Sequence, residues 1–250
     1  MKNFEKAYLK FFDKYKNEDW FEGAVLCGSY ATGNNNENSD IDIFIVASNV
    51  LDWRERGNII IDGFMIEYFI NPIRQIESEI LDERKLFARH TSNMFHQGII
   101  IHDKNGEIKK LKNLANDTLK IQPEVNNYKY TINCYSTWER FDEVDSKYKN
   151  GDDIDLSFYY FMQNAIDTIS YNKKIGSFSF NKIEKFLKDK EFRKRYGIKK
   201  FFNKTECELL IKCLEEKERE QKYKNAKALY NYINKKFNFD INNFSFRSKI

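Results

Sequence analysis

The chain has 250 residues, with 42 Lys+Arg against 38 Asp+Glu for a net charge of +4; it is long enough to bury a sizeable core in one large domain or two small ones. The charges are intermixed, and so mild an excess of base lacks the footprint of a nucleic-acid binder. Only 2 Pro and 10 Gly beside 16% aromatic residues exclude collagen-like, linker-dominated and disordered architectures.

Residues 3–17 place Phe4, Tyr8, Phe11, Phe12 and Tyr15 near helical spacing, which predicts a first helix. Gly23 to Gly28 is a short apolar run suited to a buried strand, and Ile41 to Ala47 is β-branched and alternating, a second strand. Residues 58–61 and 64–70 flank Asp62-Gly63, the pair favoured in a two-residue hairpin turn. Asn71 is the expected N-cap of a helix with Pro72 at its first position and Ile73, Ile76 and Ile80 on its apolar face. A single helix is predicted over 84–97, stopping at Gly98, before a short strand at 99–102.

Beyond residue 107 strand signals vanish. Helices are predicted at 107–120, 124–149, 154–172, 180–195, 205–219 and 221–236. In the third of these Phe158, Phe161, Met162, Ala165, Ile166 and Ile169 keep the i, i+3, i+4 rhythm. The expected fold class is therefore α+β: a small mixed sheet with flanking helices over residues 1–105, then a helical bundle over 106–250 as a substrate-binding or accessory domain. No apolar run approaches the ~20 residues of a membrane helix. Met1 to Lys16 lacks the apolar segment of a signal peptide, so a cytoplasmic protein without a membrane partner is expected. Cys27, Cys134, Cys207 and Cys213 form no CxxC pair and read as small core residues. His90, His96 and His102 recur every six residues, a poor match to one helical face and hence to a metal cluster.

One segment carries chemistry. Gly28-Ser-Tyr-Ala-Thr-Gly33 closes a strand and opens a short helix, where backbone N–H groups and the Ser29 hydroxyl can hold phosphate. After an Asn-rich turn comes Asp40-Ile-Asp42, two carboxylates on one strand face, with Ile41, Ile43 and Ile45 anchoring the other. Two such charges ~4 Å apart repel by roughly 4 kcal/mol at an effective dielectric of about 20, so a cation or shared proton must intervene. All-oxygen ligation in an accessible cleft points to Mg²⁺ shared with substrate phosphates. Glu67, alone among Phe64-Met-Ile-Glu-Tyr-Phe-Ile70, can face the aspartates if its strand lies beside 41–47, as a third metal ligand or a general base.

These residues resemble the DNA polymerase β-like nucleotidyltransferase superfamily, whose hallmark is Gly-Ser, about ten residues, then Asp-x-Asp/Glu; here ten residues lie between Ser29 and Asp40. The resemblance covers roughly residues 20–105. It implies Mg²⁺-dependent transfer of a nucleoside monophosphate from an NTP, in the simplest case AMP from ATP, with pyrophosphate leaving. In size and layout the chain looks most like the bacterial aminoglycoside and lincosamide nucleotidyltransferases, which use a strand glutamate as base. That implies a small-molecule hydroxyl acceptor and allows a homodimer. Asp40, Asp42 and Glu67 would then be catalytic and metal-binding, with Gly28, Ser29 and Lys182 binding the nucleotide. Lys173 and Lys174 are further candidates for phosphate oxygens, and Asp152, Asp153 and Asp155 for a cationic acceptor. A tRNA or protein acceptor is the alternative, to which a charge of +4 gives little support; a non-catalytic relative is the other.

Overall fold

The computed structural model describes residues 3–176, 180–195, 198 and 200–247. Two compact units divide the chain, 1–123 and 124–250.

The first unit is built on a five-stranded mixed sheet of order β3-β4-β2-β1-β5. Its strands are β1 (Phe21–Leu26), β2 (Ile41–Ala47), β3 (Glu55–Ile61), β4 (Phe64–Pro72) and β5 (Ile99–Asp103). β2 lies at the centre, antiparallel to β1 and parallel to β4; β3 and β5 are the antiparallel edges. Alternation along β2 explains that place. Ile41, Ile43 and Ile45 face one layer with α1 (Asn3–Phe12), whose Ala7 and Phe11 are buried there. Phe44 and Val46 face the other, under α3 (Ile73–Asp82), α4 (His90–Gln97) and α5 (Glu107–Lys120). A strand covered on both faces reads as a continuous apolar run, and β2 is interrupted only at Asp42.

Several predicted elements hold and several are redrawn. The β3–β4 hairpin turns at Asp62 and Gly63, with φ of 51° and 83° as a type I′ turn requires. α1 stops at Phe12, with turns following, instead of reaching residue 17. Asn71 does not cap α3: it pairs with Val46 inside β4, Pro72 holds the N-cap position, and the Asn49 side chain accepts from the Arg74 amide instead. The helix expected over 84–97 is broken. Buried Glu83 sits in a 3-10 turn and accepts from the Thr91 and Ser92 amides, so it caps a new helix, α4. Arg89, just before α4, donates to the carbonyls of Leu86, Thr118 and Ile121. The boundary drawn from the sequence at 105/106 precedes α5, yet α5 packs into the first unit, burying Ile108, Leu111 and Ala115 under the sheet.

The second unit is helical: α6 (Asn127–Asn150), α7 (Asp155–Asn172), α8 (Ile183–Lys188), α9 (Lys190–Arg195), α10 (Lys204–Glu215) and α11 (Arg219–Phe237). α6 and α7 run antiparallel, as the Thr137–Thr168 hydroxyl pair and the Ser157–Glu143 bond show. All six apolar positions expected on α7 lie in the core, with Leu210 and Cys213 of α10 and Ala226, Leu229 and Ile233 of α11. The single helix expected over 180–195 is a 3-10 turn, α8 and α9, split where Asp189 accepts from the Phe192 amide. The helix expected over 205–219 ends at Glu215, because Glu216 is extended and its carboxylate accepts from the Lys217 and Glu218 amides. The cysteines are free, and burial pushes the thiols of Cys134 to about 11 and Cys213 to about 12. Among the described residues no helix is long and apolar enough to cross a membrane.

Candidate active site

α2 (Gly28–Thr32) follows β1 directly. The Cys27 amide donates to the Asp42 carbonyl at 2.8 Å, so the end of β1 is tied to the start of β2. Gly28 has φ of +64°, and a Cβ there would stand 1.8 Å from Asp42 Oδ2. Only glycine lets the helix begin against that carboxylate. Gly33 ends the helix in the left-handed region with its amide on the Ser29 carbonyl. Bonds among Asn36, Asn38 and Ser39 then turn the chain back towards β2.

Ser29 Oγ is enclosed and has no hydrogen-bond partner in the protein. A hydroxyl withdrawn from water without a partner costs free energy that a ligand oxygen can recover. Nearby Cys27 is a poor candidate for a thiolate ligand or nucleophile: burial, and then the charge of Asp42, push its thiol far up.

The parallel pairing of β2 with β4 puts Asp42 directly opposite Glu67. Asp40, Asp42 and Glu67 each bring a carboxylate oxygen within 4.8 Å of the others, Asp40 exposed and the other two half-buried. Full charges at that spacing repel by about 3 to 4 kcal/mol per pair at an effective dielectric of about 20, and by less at exposed Asp40. Among the described residues no other group of three or more His, Cys, Asp or Glu side chains gathers in this way. The donor set is entirely carboxylate oxygen, which suits a hard divalent ion such as Mg²⁺. With Gly28 at the start of α2 packed against Asp42, the cluster fits a metal ion carrying a phosphate ligand.

The cluster has one cation that sequence reasoning missed. Arg56 on β3 donates to Glu67 Oε1 from Nε at 3.2 Å and from a terminal nitrogen at 2.5 Å. Its guanidinium lies 4.8 Å from the Phe69 ring centroid. β3 was expected to begin at residue 58, which left Arg56 outside any element. Strict alternation backward from Ile60 through Asn58 would have placed it on the face of Glu67 and Phe69.

Of the residues named from the sequence, Gly28, Ser29, Asp40, Asp42 and Glu67 come together in the first unit. Lys182 belongs to the second unit, at the end of the 3-10 turn before α8. Lys182 has a partner of its own, as do several of the other second-unit candidates. Lys173 pairs with buried Glu206 at 3.0 Å, and Asp155 with Lys222 at 2.5 Å. Asp153 accepts from the Asp155 amide, and the Asp152 carbonyl accepts from Arg219. Lys174 lies in the turn after α7 with φ of +58°.

Residues 9–115 match a family model described as "Nucleotidyltransferase domain", a segment that begins in α1, ends in α5 and contains all five gathered residues. A search of curated proteins returns no match. Among solved structures the chain is similar to a nucleotidyltransferase-like protein from Exiguobacterium sibiricum 255-15, with 13% identity and a TM-score of 0.49 over 94% of this chain and 75% of that one.

Proposed function

We propose that the chain is a Mg²⁺-dependent nucleotidyltransferase that moves a nucleoside monophosphate, in the simplest case AMP from ATP, onto a hydroxyl of a small molecule such as an aminoglycoside-type antibiotic. One observation carries this: three carboxylates, from the residue before β2, from β2 and from its partner β4, converge beside a glycine-started helix with an enclosed, unpartnered serine hydroxyl. The match of residues 9–115 to the nucleotidyltransferase-domain model supports it.

Asp40, Asp42 and Glu67 would hold the ion. When bound, the ion neutralises charge on the triphosphate and on the departing pyrophosphate. Gly28 and Ser29 receive phosphate oxygens, the serine by donating its hydroxyl proton. The acceptor oxygen forms a bond to the α-phosphorus while the bond from that phosphorus to the bridging oxygen breaks, and pyrophosphate leaves with the electron pair. The hydroxyl proton passes to Glu67, if that carboxylate serves as base, and then to water.

Incubation with NTPs labelled at the α-phosphate and a panel of antibiotics, tRNA and cell lysate tests the proposal. Label should move to a small molecule only when Mg²⁺ is present, with release of pyrophosphate. Label on tRNA or protein would reassign the acceptor; no transfer to any of them, with no thermal shift from ATP and Mg²⁺, would remove the activity altogether.

A further inference from the structure

One acid of the cluster, Glu67, meets Arg56. Arg56 stands on the edge strand, 68% exposed, yet its guanidinium is fixed at two points: over the Phe69 ring and on Glu67. The β3–β4 register places Arg56 opposite Phe69 and Asn58 opposite Glu67, so the arginine reaches its acid diagonally along one sheet face. Both of its hydrogen bonds end on Oε1. Glu67 is therefore claimed by a cation from the side of the sheet away from Asp42 and α2.

We infer that Arg56 is the resident counter-ion of the acidic cluster: it relieves the repulsion on Glu67 when no divalent ion is bound, and an entering ion must compete with it for that carboxylate. The inference rests on the metal site proposed above, and it gives the residue a sign. A merely orienting arginine would help Glu67 ligate, so its removal would weaken ion binding. A counter-ion opposes a second cation, so its removal must strengthen ion binding. The charge balance favours the second: an arginine and a divalent ion sharing one carboxylate repel each other, and Glu67 is already confined by strand pairing through its neighbours. Such a pair weakens metal loading in the absence of nucleotide, whose phosphates supply further negative charge that favours the ion.

The test titrates Mn²⁺ alone into the full chain, reading free Mn²⁺ by electron paramagnetic resonance, for the parent, Arg56→Met, Arg56→Lys and Asp42→Asn. Methionine keeps an apolar stem against Phe69 and removes the charge. Arg56→Met should bind Mn²⁺ about two- to fivefold tighter than the parent, the range set by forfeiting one exposed ion pair. Arg56→Lys should fall between them, and Asp42→Asn should lose the ion. Without metal, Arg56→Met should melt below the parent and gain more from added Mn²⁺. Equal or weaker Mn²⁺ binding by Arg56→Met, while Asp42→Asn still abolishes the parent's binding, overturns the counter-ion role and leaves the proposed function standing. Parent binding that Asp42→Asn does not touch overturns both.

Discussion

The two units treat their acids in opposite ways. In the first, Asp40, Asp42 and Glu67 crowd together at the end of the sheet, and Arg56 pairs with Glu67. In the second, Glu206 is wholly buried with two lysines upon it, Lys173 at 3.0 Å and Lys236 closer still, and its carboxylate also accepts from the Asn203 amide in a capping box. Burial alone would raise the Glu206 carboxyl, but Lys236, the Asn203 amide and Lys173 hold it below its usual value of 4.5. An acid met by several donors contributes to the fold, whereas like charges crowded together repel one another and are relieved when a ligand completes them. Removing an acid should therefore act with opposite sign in the two units.

The largest effect is expected at Asp42. Asp42→Asn removes a ligand and one member of a repelling cluster, so label transfer should vanish while the melting temperature of the metal-free chain holds or rises. Turnover equal to the parent at saturating Mg²⁺ would end the metal assignment. Glu67→Gln keeps shape but cannot take a proton; as base it would contribute about 10²–10⁴-fold, so transfer should slow by that factor and lose the acidic limb of the pH–rate profile. If Glu67 acts only as a ligand, the Mg²⁺ dependence shifts and the profile is preserved.

Glu206→Gln sharpens the contrast from the other side. It strands two partly exposed lysines, and calorimetry should record a loss of about 2 kcal/mol, below the 3–5 typical of a fully buried broken pair. Because the folded Glu206 carboxyl is depressed, its contribution is complete above the usual 4.5 and is lost as pH falls through the lower folded value. The parent should lose stability over that acid range and the glutamine variant should lose less. Transfer per folded molecule should be unchanged. The smallest effect is expected at Ser29: Ser29→Ala should raise KM for the NTP by roughly 5- to 30-fold, the equivalent of about 1–2 kcal/mol for a hydrogen bond to a charged group, with little change in kcat. An unchanged KM would make Gly28-Ser29 a structural turn.

Much of the first unit was legible because its signals are local. Asp62-Gly63 could hardly be anything but a tight turn, and period two along Ile41–Ala47 separates Asp42 from Ile41 and Ile43 whatever surrounds the strand. Helix ends were harder to place. Glu83 stands just before the helix expected over 84–97 and Asp189 inside the one expected over 180–195; each accepts from backbone amides and starts a new helix, a competition between side chain and backbone that periodicity does not register. Asn71 and Asn49 show the same limit: of two asparagines, the one distant in sequence supplies the cap.

The residues of the site, taken one at a time, follow from the sequence, because covalent spacing dictates them: a Gly-Ser at a strand end, two aspartates on one strand face, an acid in an apolar strand. Their assembly does not. Only the parallel pairing of β2 with β4 brings Glu67 opposite Asp42, and only the β3–β4 register brings Arg56 onto Glu67. Strand order is chosen by burying both faces of β2 at once, between α1 and the helices α3 to α5, a choice made by residues far apart in the chain. The lysines of the second unit follow the same rule, since it is a buried carboxylate 33 residues beyond Lys173 that decides what this lysine does.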